Sequence, residues 1–225
     1  MFKDIKVGIK MLKYGLNAKT QFGIGAAFLL LGIGITFANN SSYEDFALRS
    51  LGGCYLMIAF AYPAQILIVT TVSKMLQASP YKKKLQVTIP ALLFFVGNVI
   101  AYSIYILIMM ITRRGIGRTG MGVQILFTGL MAFALQVIGI LAYKAYILGM
   151  VVMIISVLSI ISVISRPGEF VGLITKFADM EGIAILLGYA TIIVGLFISL
   201  LVGKLLYRLE LSGMSYRSAL QRASR

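Results

Sequence analysis

The sequence predicts an all-α polytopic membrane protein: six transmembrane helices, an N-terminal amphipathic interfacial helix, and a short outer amphipathic helix between spans five and six. Three observations carry this. Of 225 residues, 60% are hydrophobic and 12% charged, whereas soluble domains run at roughly 45–50% apolar and about 25% charged. Six apolar runs reach or approach the roughly 20 residues a helix needs to cross the hydrocarbon core. The basic residues also segregate between alternate connecting segments. Residues 1–21 form the interfacial helix, 22–208 the transmembrane domain and 209–225 a basic cytoplasmic tail.

The first element is residues 2–16. Phe2, Ile5, Ile9, Leu12 and Leu16 recur at spacings of three and four and share one helical face. Lys3, Lys6, Lys10 and Lys13 repeat one residue later as a basic stripe beside it. An apolar face edged with lysine is how a helix lies in the membrane interface against anionic lipid.

The spans follow at about 22–38, 51–73, 87–111, 122–142, 146–165 and 183–204. No A-x-A-like cleavage site follows the first run, which is expected to stay as an anchored helix. The stretch from Gly122 to Ser165 is broken only by Lys144. As one helix it would exceed any bilayer at 1.5 Å per residue, so a tight hairpin is expected at "AYKAY". Gly23, Gly25, Gly32 and Gly34 crowd span one and permit close helix approach. Pro63 and Pro90 fall in spans two and three and are expected to kink them. Residues 167–180 carry Phe170, Leu173, Ile174 and Phe177 on one face after Pro167. This segment is too short and polar to cross, and it is expected at the outer surface or as a re-entrant piece.

With the N-terminus inside, 15 of the 21 basic residues fall on inner segments. The six outside are Arg49, Arg113, Arg114, Arg118, Arg166 and Lys176, and five of the seven acids join them. The positive-inside rule therefore places both termini in the cytoplasm. The net charge of +14 is a topological signal spread among apolar runs, which argues against nucleic acid as a partner. Arg113, Arg114 and Arg118 are the exception to the rule. Their segment also spells G-x-G-x-x-G at Gly115, Gly117 and Gly120, but that fingerprint needs a βαβ unit, so a loop is expected.

Chemistry is bounded mainly by what is missing. There is no histidine, which excludes histidine-ligated metal and Ser-His catalysis, and no metal site is expected. Cys54 is the single cysteine and reads as packing. No span carries an ionisable residue near its centre, which weakens ion-coupled transport and intramembrane hydrolysis alike. The intramembrane polar residues are neutral: Gln65, Thr70 and Thr71 in span two, Asn98 in span three, Gln124 and Gln136 in span four. Each reads as an interhelical hydrogen bond worth about 1 kcal/mol, or as a contact along a substrate path, for which Gln65, Thr70, Asn98, Gln124 and Gln136 are the candidates.

The densest positive cluster is "SPYKKKLQ", within the inner segment of about 74–87. Ser79 can cap a short helix starting at Pro80. Lys82, Lys83 and Lys84 either mark topology and touch headgroups, at about 1 kcal/mol each, or meet a protein partner.

The layout resembles the membrane subunit of a type-2, exporter-like ATP-binding-cassette transporter along the whole chain. "FKDIKVGIKMLKYGL" matches that family's interfacial helix, "SKMLQASPYKKKLQ" its coupling helix between spans two and three, "AYKAY" its short inner link, and "RPGEFVGLITKFADMEG" its outer helical insertion. The arginines at 113–118 have no counterpart. The resemblance implies a permease subunit in a bacterial plasma membrane, paired with a second permease subunit and a cytoplasmic nucleotide-binding ATPase. ATP–Mg would reside in that partner, since this chain has no G-x-x-x-x-G-K-[ST] phosphate loop and is not itself an enzyme. Ser79 to Lys84 would be the ATPase-coupling segment. A neutral, apolar interior suits a hydrophobic or amphipathic substrate such as a peptide, lipid or drug. Two other functions share the layout: a non-transporting membrane protein (immunity factor, scaffold or sensor subunit), and the six-span substrate-binding component of a vitamin importer.

Overall fold

The computed structural model describes residues 2–14, 18–38, 46–64, 80–112, 118–144, 146–165, 181–207 and 217. Among these, the only secondary structure is helical. Helix α1 is Phe2–Tyr14, α2 Ala18–Ala38, α3 Phe46–Ala64, α4 Ile89–Ile111, α5 Arg118–Lys144, α6 Tyr146–Ser165 and α7 Glu181–Tyr207, with a π-helical turn at Lys84–Thr88 leading into α4.

Among the described residues, four helical stretches are long and apolar enough to cross a membrane: Ala18–Phe37, Lys84–Ile111, Met121–Leu141 and Glu181–Tyr207. The shorter Ser50–Phe60 is also apolar. The outward faces fit such a setting. Leu30 and Leu31 on α2, Ile154, Ile155 and Leu158 on α6, and Leu186, Phe197, Leu201 and Leu205 on α7 are all exposed. Contiguous apolar surface on this scale is what lipid tails cover and water does not.

Helices α4 and α5 form the centre. Their apolar windows are 61% and 56% buried, against 17% for α2 and 22% for α7. Helix directions follow from which residues meet. Gly32 of α2 lies against Leu56 of α3, and Gly52 of α3 against Thr36 of α2, so these two helices run antiparallel. Phe28 and Tyr55 stack beside that contact, 5.8 Å between ring centroids. Phe60 of α3 meets Gly97 and Tyr105 meets Gly53, so α4 is antiparallel to α3. Phe94 of α4 meets Gly139 of α5, while Asn98 bonds Ala132, which makes α5 antiparallel to α4. Gly129 meets Gly188 and Gln136 meets Gly195, so α5 and α7 run parallel.

Glycine sets the spacing at the parallel crossing. A Cβ on Gly129 would come 2.7 Å from the Gly188 Cα. No residue with a side chain permits that approach. The buried stripe of α7 is Ala184, Gly188, Ile192, Gly195, Ser199 and Gly203, recurring every three or four positions. Apart from Ile192 it is built of small residues, so the backbones close up and gain van der Waals contact.

Several expectations change here. Helices occupy all six predicted runs, but the second is described only to Ala64, and residues 65–79 lie outside the described residues with Gln65, Thr70 and Ser79. Pro90, expected to kink span three, lies where the π-turn passes into α4. It follows eight helical residues, Lys82–Ile89, so its missing N–H falls inside a continuous helix and not at a free helix start. The break it causes is taken up just before it: Ile89 N–H reaches back to the Lys84 carbonyl, a five-residue step. Pro90 has no N–H to give in that ladder, and the wider turn absorbs the mismatch. Arg118, Thr119 and Gly120 belong to the start of α5 and not to a loop. The outer segment 167–180 lies outside the described residues.

Helix α1 has three stripes where the sequence suggested two. Asp4 and Gly8 form the third, and this stripe packs on the protein. Gly8 is buried against Ile89 and Leu93, with a Cβ position 2.9 and 2.8 Å from their side chains, and the Asp4 carboxylate lies 3.7 Å from Lys84 Nζ. Ile5 and Ile9 fall on the next stripe and Lys6 and Lys10 on the one after. Ile9 is exposed, as a lipid-facing residue should be, but so is Val7 on the other side. Leu16 and the side chains of Phe2, Lys3, Leu12 and Lys13 lie outside what is described.

Candidate functional site

Two places gather the residues singled out from the sequence. The first is the end of the bundle where the π-turn begins. Pro80 and Tyr81 form a turn and the helix starts at Lys82. The Tyr81 carbonyl accepts from Leu85 N–H at 3.0 Å. The lysines are therefore not on a separate short helix. They are the first turn of a rod that continues through Leu85, Gln86 and Val87, all buried, into α4. Tyr81 is 64% exposed, and Lys83 and Lys84 are exposed beside it. Val87 packs on Gly203 near the end of α7, with a Cβ position 2.8 Å away, so Lys204 shares this end with Lys82–Lys84, Lys6 and Lys10.

The second place is the interior seam where α4, α5 and α7 meet. Asn98 is buried and its Nδ2 donates to the Ala132 carbonyl at 3.0 Å. This is the interhelical bond expected of it. Gln136, one turn beyond Ala132 on α5, is 0% exposed, and neither its Oε1 nor its Nε2 has a hydrogen-bond partner. Its Oε1 would lie 3.0 Å from a Cβ on Gly195. Gln124 is buried with its Oε1 unpartnered. Twelve residues separate the two glutamines, about 18 Å along the axis and some 120° around it. They therefore lie on different faces of α5. Asn98, Gln124 and Gln136 are all buried, and the other two residues of the expected substrate path, Gln65 and Thr70, lie outside the described residues.

The seam holds further polar groups that sequence reading missed. Tyr102 of α4 is 0% exposed, and its unpartnered hydroxyl lies against Gly188. Ser199 of α7 is 0% exposed with its Oγ unpartnered. Each orphaned atom in an apolar surround costs about 1–3 kcal/mol. Other groups are satisfied. Ser103 Oγ donates to the Val99 carbonyl at 2.7 Å and lies 2.8 Å from the Tyr189 hydroxyl, which donates to it. Thr191 Oγ1 donates to the Gly188 carbonyl at 2.7 Å. Tyr102 and Tyr189 meet edge to face, 4.9 Å between centroids. The signal that could have found this seam is the small-residue stripe of α7, since its spacing is legible and only its partners are not.

No family model matches this chain, no curated protein matches it, and no solved structure matches it.

Proposed function

We propose that this chain is the six-span permease subunit of an ATP-binding-cassette exporter, assembled with a second permease subunit and driven by a separate cytoplasmic ATPase that holds ATP–Mg. The observation that carries this reading is the rod from Tyr81 to Ile111. Its exposed end presents an aromatic and three lysines, and its other part is the most buried of the four candidate spans. A push on that end moves the core as a rigid body, which is what a coupling segment must do. A lone topology marker has no need of the connection.

Six crossings fit the helix directions. Because α5 and α7 run parallel, the chain must return the full length of the bundle between them. The 20-residue α6 spans about 30 Å, which is the thickness of the hydrocarbon core. The lysines at one end give that end the cytoplasmic side. The apolar stripe of Ile5 and Ile9 then meets lipid beside the docked edge of α1.

Co-purification tests the reading. The chain is expressed with a tag in its native host and its partners are identified. A bound nucleotide-binding subunit is expected. Tyr81→Ala should release it while the spans insert normally, since truncating an anchoring aromatic costs at least about 2 kcal/mol. Replacing Lys82, Lys83 and Lys84 with glutamine should weaken the association moderately, and the difference should fade with salt. Full retention of the ATPase by Tyr81→Ala, or no ATPase under any condition, overturns the proposal.

A further inference from the structure

The small-residue stripe of α7 faces orphaned polar atoms along its length. At Gly188 it is the Tyr102 hydroxyl, and at Gly195 the Gln136 carboxamide. One turn on, the stripe supplies an orphan of its own, the Ser199 hydroxyl. All three side chains are 0% exposed. Between them they offer two hydroxyls, which donate and accept, and a carboxamide, which does both at once. None carries charge. From Gly188 to Ser199 is eleven residues, about 16 Å along the helix. The sides of this strip are apolar, Ile192 in the middle among them.

Two further features bear on how the strip opens. The buried stripe of α7 is small apart from Ile192, while the helix's large side chains, such as Phe197 and Leu201, already face outward. Separating α7 from α5 would still uncover Ile192 and apolar side chains such as Leu196 and Leu200 that pack on the core, so a ligand in the seam must cover apolar surface as well as the orphaned atoms. No short loop ties the pair either, because α6 and residues 166–180 lie between them in the chain.

We infer that the α5–α7 seam is a lateral binding site for an uncharged hydrophobic peptide, whose backbone amides take up Tyr102, Gln136 and Ser199 when α7 moves away from α5. An extended peptide supplies both N–H and C=O groups every few ångströms over such a length. Its apolar side chains would meet Ile192 and the surrounding lipid. A purely hydrocarbon ligand would leave the same atoms unpartnered, and a charged one would find no counter-charge among the described residues of the strip from Gly188 to Ser199. The site is that of the proposed permease and rests on that reading, but the purified chain alone tests it.

The test measures binding of an N-acetylated, C-amidated trileucine to the purified full chain in lipid nanodiscs, by equilibrium dialysis against empty nanodiscs. The control ligand is the same peptide with every amide N–H replaced by N–CH3, at least as apolar but without donors. Saturable binding of the first is expected, at least tenfold tighter than the second. Gln136→Leu and Ser199→Ala should each weaken it at least fivefold. Both remove an orphaned buried polar group, so thermal unfolding should show them folded and at least as stable as wild type. Equal binding of the two ligands, or unchanged binding by stable Gln136→Leu protein, overturns the site and leaves the orphans as packing features only. Failure to find an ATPase partner would remove the transport reading without touching this result.

Discussion

Gly188 on α7 holds its backbone against the Tyr102 hydroxyl of α4, at the position where a methyl group would have to go. Two helices that contact in this way cannot accept even alanine without one of them shifting.

Gly188→Ala should therefore destabilise the protein by about 1–3 kcal/mol, the usual range for overpacking. Tyr102→Phe should restore only a small part of that loss in the double variant, because the clashing oxygen is gone while the ring Cζ still meets the added methyl group. A double-mutant cycle by unfolding in mixed micelles measures the coupling. Gly34, where an added methyl group would meet nothing within 4 Å, is the contrast: Gly34→Ala should be neutral or mildly stabilising.

Asn98→Ala should cost about 1–2 kcal/mol, combining the lost bond to the Ala132 carbonyl with a small void. Asn98→Leu fills the space and should cost less. If both variants unfold like wild type, the bond contributes nothing to the α4–α5 contact.

At the edge of α1 the two contacts should differ in weight. Asp4→Asn removes an ion pair whose Lys84 partner is 57% exposed, and such pairs contribute about 0–1 kcal/mol and are screened by salt. Gly8→Leu drives a side chain into Ile89 and Leu93 and should lift α1 off. Amide exchange over residues 2–14 reads both: a large rise for Gly8→Leu and little for Asp4→Asn.

Topology can be read directly. On a background without Cys54, a cysteine at Lys83 should be labelled from the cytoplasmic side and one at Thr112 from the outside. The reverse pattern would invert the orientation inferred from the lysines. A cysteine at position 116 reports on the arginine-bearing segment.

Helix positions were legible because the apolar runs are long and a bilayer permits little else. The hairpin expected at "AYKAY" turns on Ala145, which lies outside the described residues. The π-turn was not legible, since nothing in "KLQVTIP" distinguishes a wide turn before Pro90 from a kink after it. The docked stripe of α1 was hidden because an aspartate and a glycine read as polar filler until their neighbours are known. Asn98 behaved as expected, whereas Gln136 did not. Side-chain chemistry states what a group can bond, and only the packing of α5 on α7 decides whether a partner is in reach.

The parallel pairing of α5 and α7 also sets a timetable for biogenesis. When Gln136 is added to the growing chain, the 71 residues up to Tyr207 are still unmade. At roughly 5–20 residues per second, the carboxamide waits about 4–14 s for the helix that will cover it. During that interval α2, α3 and α4 can already associate through neighbours in sequence, while one side of α5 stays open to the translocon or to lipid. A nascent chain arrested after Ser165 is then the species that insertases and membrane proteases should recognise, through the same uncovered glutamine that α7 later seals.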